Sequence, residues 1–203
     1  MDVKERIVKE AGKLFLENGI KNVSMDYLAS SIGISKRTIY ENFRDKEEIL
    51  NTFILQAKEE RDKKLSQIID KSDNIAEIFI RIIEFHRNKP LNSVKFFEDI
   101  YKYYPDIYEQ VRKENEKSIN QAKKFLLKGI REEYIRKDLN VDVTAFLMEE
   151  STNIYIRASY LEKPPFSFQE LFFTMMISFI RGISTEKGIK IIDDYLAKNA
   201  CDK

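Results

Sequence analysis

Residues 35–46 read Ser35-Lys36-Arg37-Thr38-Ile39-Tyr40-Glu41-Asn42-Phe43-Arg44-Asp45-Lys46. Ile39 and Phe43 recur at helical spacing, so one side of a short helix over about Lys36 to Asn42 turns inward. Lys36, Arg37, Thr38, Tyr40 and Asn42 are left facing out. Ser35 stands at the N-cap position, where its hydroxyl can accept an orphan N–H of the first turn. Asp45 and Glu48 form a capping-box-like start for the helix that follows.

Upstream, Ser24 caps another short helix, with Met25, Leu28, Ala29 and Ile32 as its buried stripe and Gly33 as its end. A first helix runs from about Val3 to Asn18 on Ile7, Ala11, Leu14 and Phe15. Gly19 closes it by a left-handed turn, and Ile20 adds an apolar contact. Two short helices joined by a tight glycine turn, with a third packed against them, form a helix-turn-helix, which lays its second helix in the DNA major groove. Candidate DNA contacts are Ser24, Ser35, Lys36, Arg37, Thr38, Tyr40, Asn42, Arg44 and Lys46, whose donors, acceptors and phenol suit phosphates and base edges. Residues 1–50 hold nine Lys and Arg against nine Asp and Glu, and a Lys-Arg pair alone is more often a solvated face. The clustering of four cations between Lys36 and Lys46, with the cap spacing and the glycine turn, favours the DNA reading.

Downstream the apolar spacing stays helical. A long fourth helix reaches about Ile69, and others follow over about 74–88, 91–104, 105–136, 141–161, 167–183 and 186–199. Pro90, Pro105 and the pair Pro164-Pro165 mark breaks or first turns. The expected fold is all-α: an N-terminal three-helix helix-turn-helix domain over residues 1–47 and a larger C-terminal helical domain over residues 48–203.

With 203 residues, 43% of them hydrophobic, the chain can bury a sizeable core. Its 35 Lys and Arg balance 34 Asp and Glu, whereas an architectural protein that bends DNA without sequence choice needs a larger basic excess. The most apolar stretch, Leu171 to Ile183, is too short to cross a bilayer, and the start lacks a signal-peptide core, so no membrane partner and a cytoplasmic location are expected. Enzyme chemistry has little to stand on. His86 is the only histidine and the only cysteine, Cys201, lies in the tail, so there is no zinc-ligand spacing. Neither a nucleophile elbow nor a phosphate-binding glycine loop is present. Glu98 and Asp99 are adjacent, and neighbours on a helix point apart. No cofactor and no metal are expected.

The first quarter of the chain resembles the tetracycline repressor (TetR) family of bacterial regulators. The matching residues are Arg6, Ile7, Ala11, Leu14, Phe15 and Gly19, then Leu28, Ala29, Gly33, Ile34, Ser35, Lys36, Thr38, Ile39, Tyr40, Phe43, Lys46, Glu47 and Leu50. The resemblance implies a DNA-binding head, a variable effector-binding and dimerisation body, and repression relieved by a small molecule. It places Lys36, Thr38 and Tyr40 at an operator duplex and Lys46 on phosphate. Two departures from the family pattern stand out: Arg37 stands where glycine is frequent, and Glu41 with Asn42 replaces a commonly aromatic or histidine pair. Glu41 is repelled by phosphates unless it turns away or accepts from a cytosine amino group.

The densest aromatic stretch runs from Phe96 to Tyr108. Such residues serve either as core or as a ligand cage. With the resemblance, Phe97, Tyr101 and Tyr104 are the expected contacts of an unidentified small, apolar or aromatic effector. Leu147, Ser151, Ile154 and Ala158 share one helix face, and Leu171, Met175, Ser178 and Gly182 share another. These faces can pack within a monomer; the resemblance implies a four-helix homodimer interface.

Overall fold

The structure, a computed structural model, describes residues 2–87, 94–157 and 167–200. Among them lie ten helices: α1 Val3–Asn18, α2 Met25–Ile32, α3 Lys36–Asn42, α4 Lys46–Asp70, α5 Ile75–Arg87, α6 Val94–Tyr103, α7 Pro105–Arg131, α8 Val141–Arg157, α9 Phe168–Ile183 and α10 Glu186–Ala200. An isolated antiparallel bridge joins Ile135 to Ser184. The all-α class holds, and no described helix is long and apolar enough to cross a membrane.

The first three helices begin and end where their caps dictate. Asp2 and Glu5 close a capping box on α1, the Ser24 hydroxyl accepts from the Tyr27 N–H, and the Ser35 hydroxyl accepts from the Thr38 N–H. Gly33 adopts the left-handed conformation, φ 73° and ψ 37°, that ends α2. Gly19 differs from expectation. Its φ is positive at 81°, but ψ is 155°, so the chain leaves α1 extended rather than in a left-handed turn.

Contacts group the chain into two compact units, one of residues 1–63 with 91–112 and one of residues 64–90 with 113–203. The expected boundary after residue 47 is therefore not where the packing divides. In the first unit Phe96, Ile100 and Ile107 join the core formed by Ile7, Ala11, Phe15, Ile20, Leu28, Ile39, Phe43, Ile49 and Leu50. Phe53 of α4 meets the edge of Phe96 with ring centres 6.4 Å apart. These faces exclude water together, which is why α6 and the start of α7 belong with the head.

The second unit has its own core, built on Ile75, Ile78, Phe79, Ile80 and Ile83 of α5 against Leu126 of α7, Phe172, Met176 and Ile180 of α9, and Ile192 of α10. Here α7 stops five residues before the expected 136. The chain turns through Glu133 at φ 62°, and the Arg136 N–H donates to the Ile183 carbonyl at 2.9 Å.

On α8, Val143, Phe146 and Leu147 are exposed apolar side chains, as is Met175 on α9. Ser178 and Gly182 are exposed on the same helix as Met175, and Leu171 is half-buried. Ser151 is different: it is buried and donates to the Leu147 carbonyl one turn back, so it does not share the exposed face of Leu147. The side chain of Ile154, and Ala158 altogether, lie outside the described residues.

Candidate nucleic-acid interface

Burial fixes the orientation of α3. Ile39 is fully buried and Phe43 nearly so, while Lys36, Arg37, Tyr40 and Glu41 are exposed and Thr38 is half-buried. Tyr40 keeps 49% of its surface exposed, far more than a core ring retains. The Ser35 hydroxyl holds the helix start and lies 2.8 Å from the Thr38 hydroxyl. Ser24 does the same work on α2, so both serines act first as caps. Asn42, expected outward, turns back to donate to the Thr38 carbonyl at 2.8 Å.

Each cation of this surface already has a partner. Lys36 Nζ lies 2.8 Å from Asp26, and that hydrogen bond and charge hold its pKa above the ordinary lysine value. Arg37 Nε lies 3.0 Å from Glu41, one helical turn along. Arg44 Nε lies 2.9 Å from Asp45, whose other oxygen accepts from the Glu48 N–H at the start of α4. The balanced charge of the head thus has a local origin.

Lys46 has a task that its position in the sequence does not suggest. Its ammonium donates to the carbonyls of Ile20 at 2.8 Å and Val23 at 3.0 Å, tying the start of α4 to the turn between α1 and α2. Burial pushes its pKa down, opposed by the charge of Asp99. Two of its three donors are therefore committed inside the protein, which leaves at most one for phosphate.

One exposed residue escaped the sequence reading. Tyr27 on α2 keeps 48% of its surface exposed beside Asp26. Its signal was available: an aromatic that falls off the Met25, Leu28, Ala29, Ile32 stripe, on the helix that crosses the DNA backbone in this motif.

Part of the aromatic segment is used for packing. Phe97 and Tyr104 lie against the core of the first unit, and burial raises the Tyr104 pKa, with the Asp99 charge adding to it. Tyr101 is 66% exposed, its ring set edge-on to Tyr108 at 5.2 Å. A cleft of about 160 Å³ is lined by Arg44, Glu47, Glu48, Asn51, Asp106, Ile107 and Gln110, none of them among the three expected effector contacts.

A capped reading helix exposed beside a short crossing helix, both seated on a common core, defines a helix-turn-helix DNA-binding protein. Residues 7–52 match the family described as bacterial regulatory proteins, tetR family. The HTH-type transcriptional regulator YhgD of Bacillus subtilis is 26% identical over 91% of this chain and 98% of its own length. In fold, the chain is similar to the ketosteroid transcriptional regulator KstR2 of Mycobacterium tuberculosis, with a TM-score of 0.66 and 21% identity over 91% of this chain and 96% of that one. It is also similar to a putative transcriptional regulator from Saccharomonospora viridis in complex with choline, with a TM-score of 0.78 and 17% identity over 90% and 98%. Residues 7–52 are thus a tetR-family DNA-binding domain, and the chain is a DNA-binding transcriptional regulator.

Proposed function

We propose that this regulator is a ligand-responsive repressor that acts in the cytoplasm as a homodimer on an inverted-repeat operator. The observation that carries the reading is the outward face of α3, where Lys36, Arg37 and Tyr40 stand exposed around a helix held by the Ser35 cap. Thr38 and Tyr40 read base edges, Lys36 and Arg44 exchange their carboxylates for phosphates, and Lys46 adds one donor at the edge of the surface. The exposed Val143, Phe146, Leu147 and Met175, with the accessible Ser178 and Gly182, support a pairing face on α8 and α9. Two heads related by a twofold axis read half-sites about 34 to 36 Å apart, or multiples of that.

The effector is a small apolar or aromatic molecule. The neighbour solved with choline supports ligand binding in proteins of this fold. Phe97 and Tyr104 pack on the core that seats α3, so a ligand that engages them changes the setting of the reading helix.

The test is fluorescence anisotropy on a duplex selected from a random library and on its scrambled counterpart, across a salt series. Thr38→Ala is expected to lose about 5- to 150-fold on the selected duplex, the equivalent of one good base contact, and far less on the scrambled one. Equal binding of the wild type and of both Thr38→Ala and Tyr40→Ala to the selected duplex removes α3 as the reading element. Sedimentation of the unmodified protein at about 24 kDa removes the dimer.

A further inference from the structure

At about 100° per residue, the position on α3 farthest from buried Ile39 and Phe43 is Glu41, with Arg37 about 40° to one side. The centre of the reading face is thus an ion pair. Arg37 is the more exposed partner, with 88% of its side chain accessible, and Glu41 keeps 55%. The pair is made through the guanidinium Nε. Among the described residues the two terminal nitrogens of Arg37 have no partner, and Glu41 bonds to nothing but Arg37. Neither side chain caps a helix, since Ser35 fills that place and the Phe43 N–H closes α3 on the Ile39 carbonyl.

We propose that Arg37 and Glu41 act as one specificity-determining unit that reads a guanine–cytosine base pair in each half-site. The proposal rests on α3 being the reading helix. Guanine offers two acceptors, N7 and O6, in the major groove, and the free fork of terminal guanidinium nitrogens matches them. The cytosine of the same pair offers an amino donor, which a carboxylate accepts. Glu41 therefore finds a partner at one kind of base pair and meets only negative charge along the phosphates. In the free protein the two side chains satisfy each other, which orients the fork before DNA arrives. An exposed pair of this kind is weak, so it yields readily to a better partner. The same carboxylate lowers affinity for random DNA, where attraction is almost wholly electrostatic.

The experiment is selection of duplexes from a randomised library by the full-length protein, followed by sequencing, for wild type, Glu41→Gln, Arg37→Ala and Thr38→Ala. The wild type is expected to fix one guanine–cytosine pair per half-site. Glu41→Gln is expected to relax that position by about tenfold toward adenine–thymine, since glutamine can pair with adenine, and to bind scrambled duplex more tightly. Arg37→Ala is expected to lose the guanine preference at the same position. Circular dichroism melting of each variant checks that the head remains folded. If Thr38→Ala shifts the selected sequence while Glu41→Gln and Arg37→Ala leave it unchanged, the pair is a solvated ion pair and the proposal fails while the reading helix stands. If none of the three variants shifts the selected sequence, the assignment of α3 fails with it.

Discussion

The backbone N–H of Lys21 donates to the Asp99 carboxylate at 2.8 Å, joining residues 78 positions apart. The Lys21 ammonium also donates to the Tyr103 hydroxyl at 3.2 Å, so the turn between α1 and α2 is held to α6 by two bonds. Asp99→Ala removes the first. The expected outcome is about fivefold faster hydrogen exchange at the Lys21 amide, in keeping with a loss of about 1 kcal/mol for a partly exposed bond to a charged acceptor. Unchanged exchange at Lys21 would mean that the turn holds itself without α6.

Gly19 and Gly33 both sit at positive φ, yet they are not equivalent. An added Cβ at Gly33 meets open space, whereas at Gly19 it comes within 2.9 Å of the Lys95 Cβ and 3.1 Å of Asp99. Gly33→Ala is expected to cost about 1 kcal/mol from backbone strain alone. Gly19→Ala carries a larger strain, since φ 81° with ψ 155° lies outside even the left-handed region, and must also push α6 away. Thermal melting should rank Gly19→Ala clearly below Gly33→Ala, and the reverse order would contradict the close approach of α6.

Lys46→Met keeps the stem of the side chain and removes the donors to the Ile20 and Val23 carbonyls. The expected destabilisation is about 1 to 3 kcal/mol, the range for hydrogen bonds from a charged group. Urea unfolding measures it without DNA. A variant as stable as wild type that still binds DNA poorly would return Lys46 to a purely phosphate-binding role.

Asp45 caps α4, and its carboxyl is held below the ordinary aspartate pKa chiefly by the Glu48 N–H, with Arg44 adding to it. A group whose pKa is depressed on folding contributes stability that is fully present above its unfolded value, about 3.9, and is lost as pH falls through the lower folded value. Asp45→Ala is expected to cost about 1 kcal/mol at neutral pH. The gap from wild type should narrow below about pH 4. Melting temperatures from pH 7 to pH 3 test this, and a gap that stays constant rules out the ionised cap.

The head was legible because its signals are local. Ser24, Gly33, Ser35 and Asp45 mark their own helix ends, and Ile39 with Phe43 orients α3 without knowledge of anything distant. The attachment of α6 was not legible. The spacing sets Phe97, Tyr101 and Tyr104 on one face and Phe96, Ile100 and Tyr103 on another, but not which surface covers either: Phe96 and Ile100 lie in the core of the first unit, Phe97 and Tyr104 pack against it, and Tyr101 is exposed. The internal bonds of Lys46 were not legible for a related reason, since a lysine donating to two backbone carbonyls looks in sequence like any surface charge. The early end of α7 had no signal, because Glu133 takes its positive φ without being glycine or asparagine.

The reading helix has only seven residues. A free helix needs about 12 to 15 before it is even marginal in water, so α3 exists only while Ile39 and Phe43 are docked. The chain therefore cannot keep its DNA address after losing its core. Warming it should erase DNA occupancy along the same sigmoid that melts the first unit, which makes the regulator a thermometer whose set point is moved by any substitution in that core.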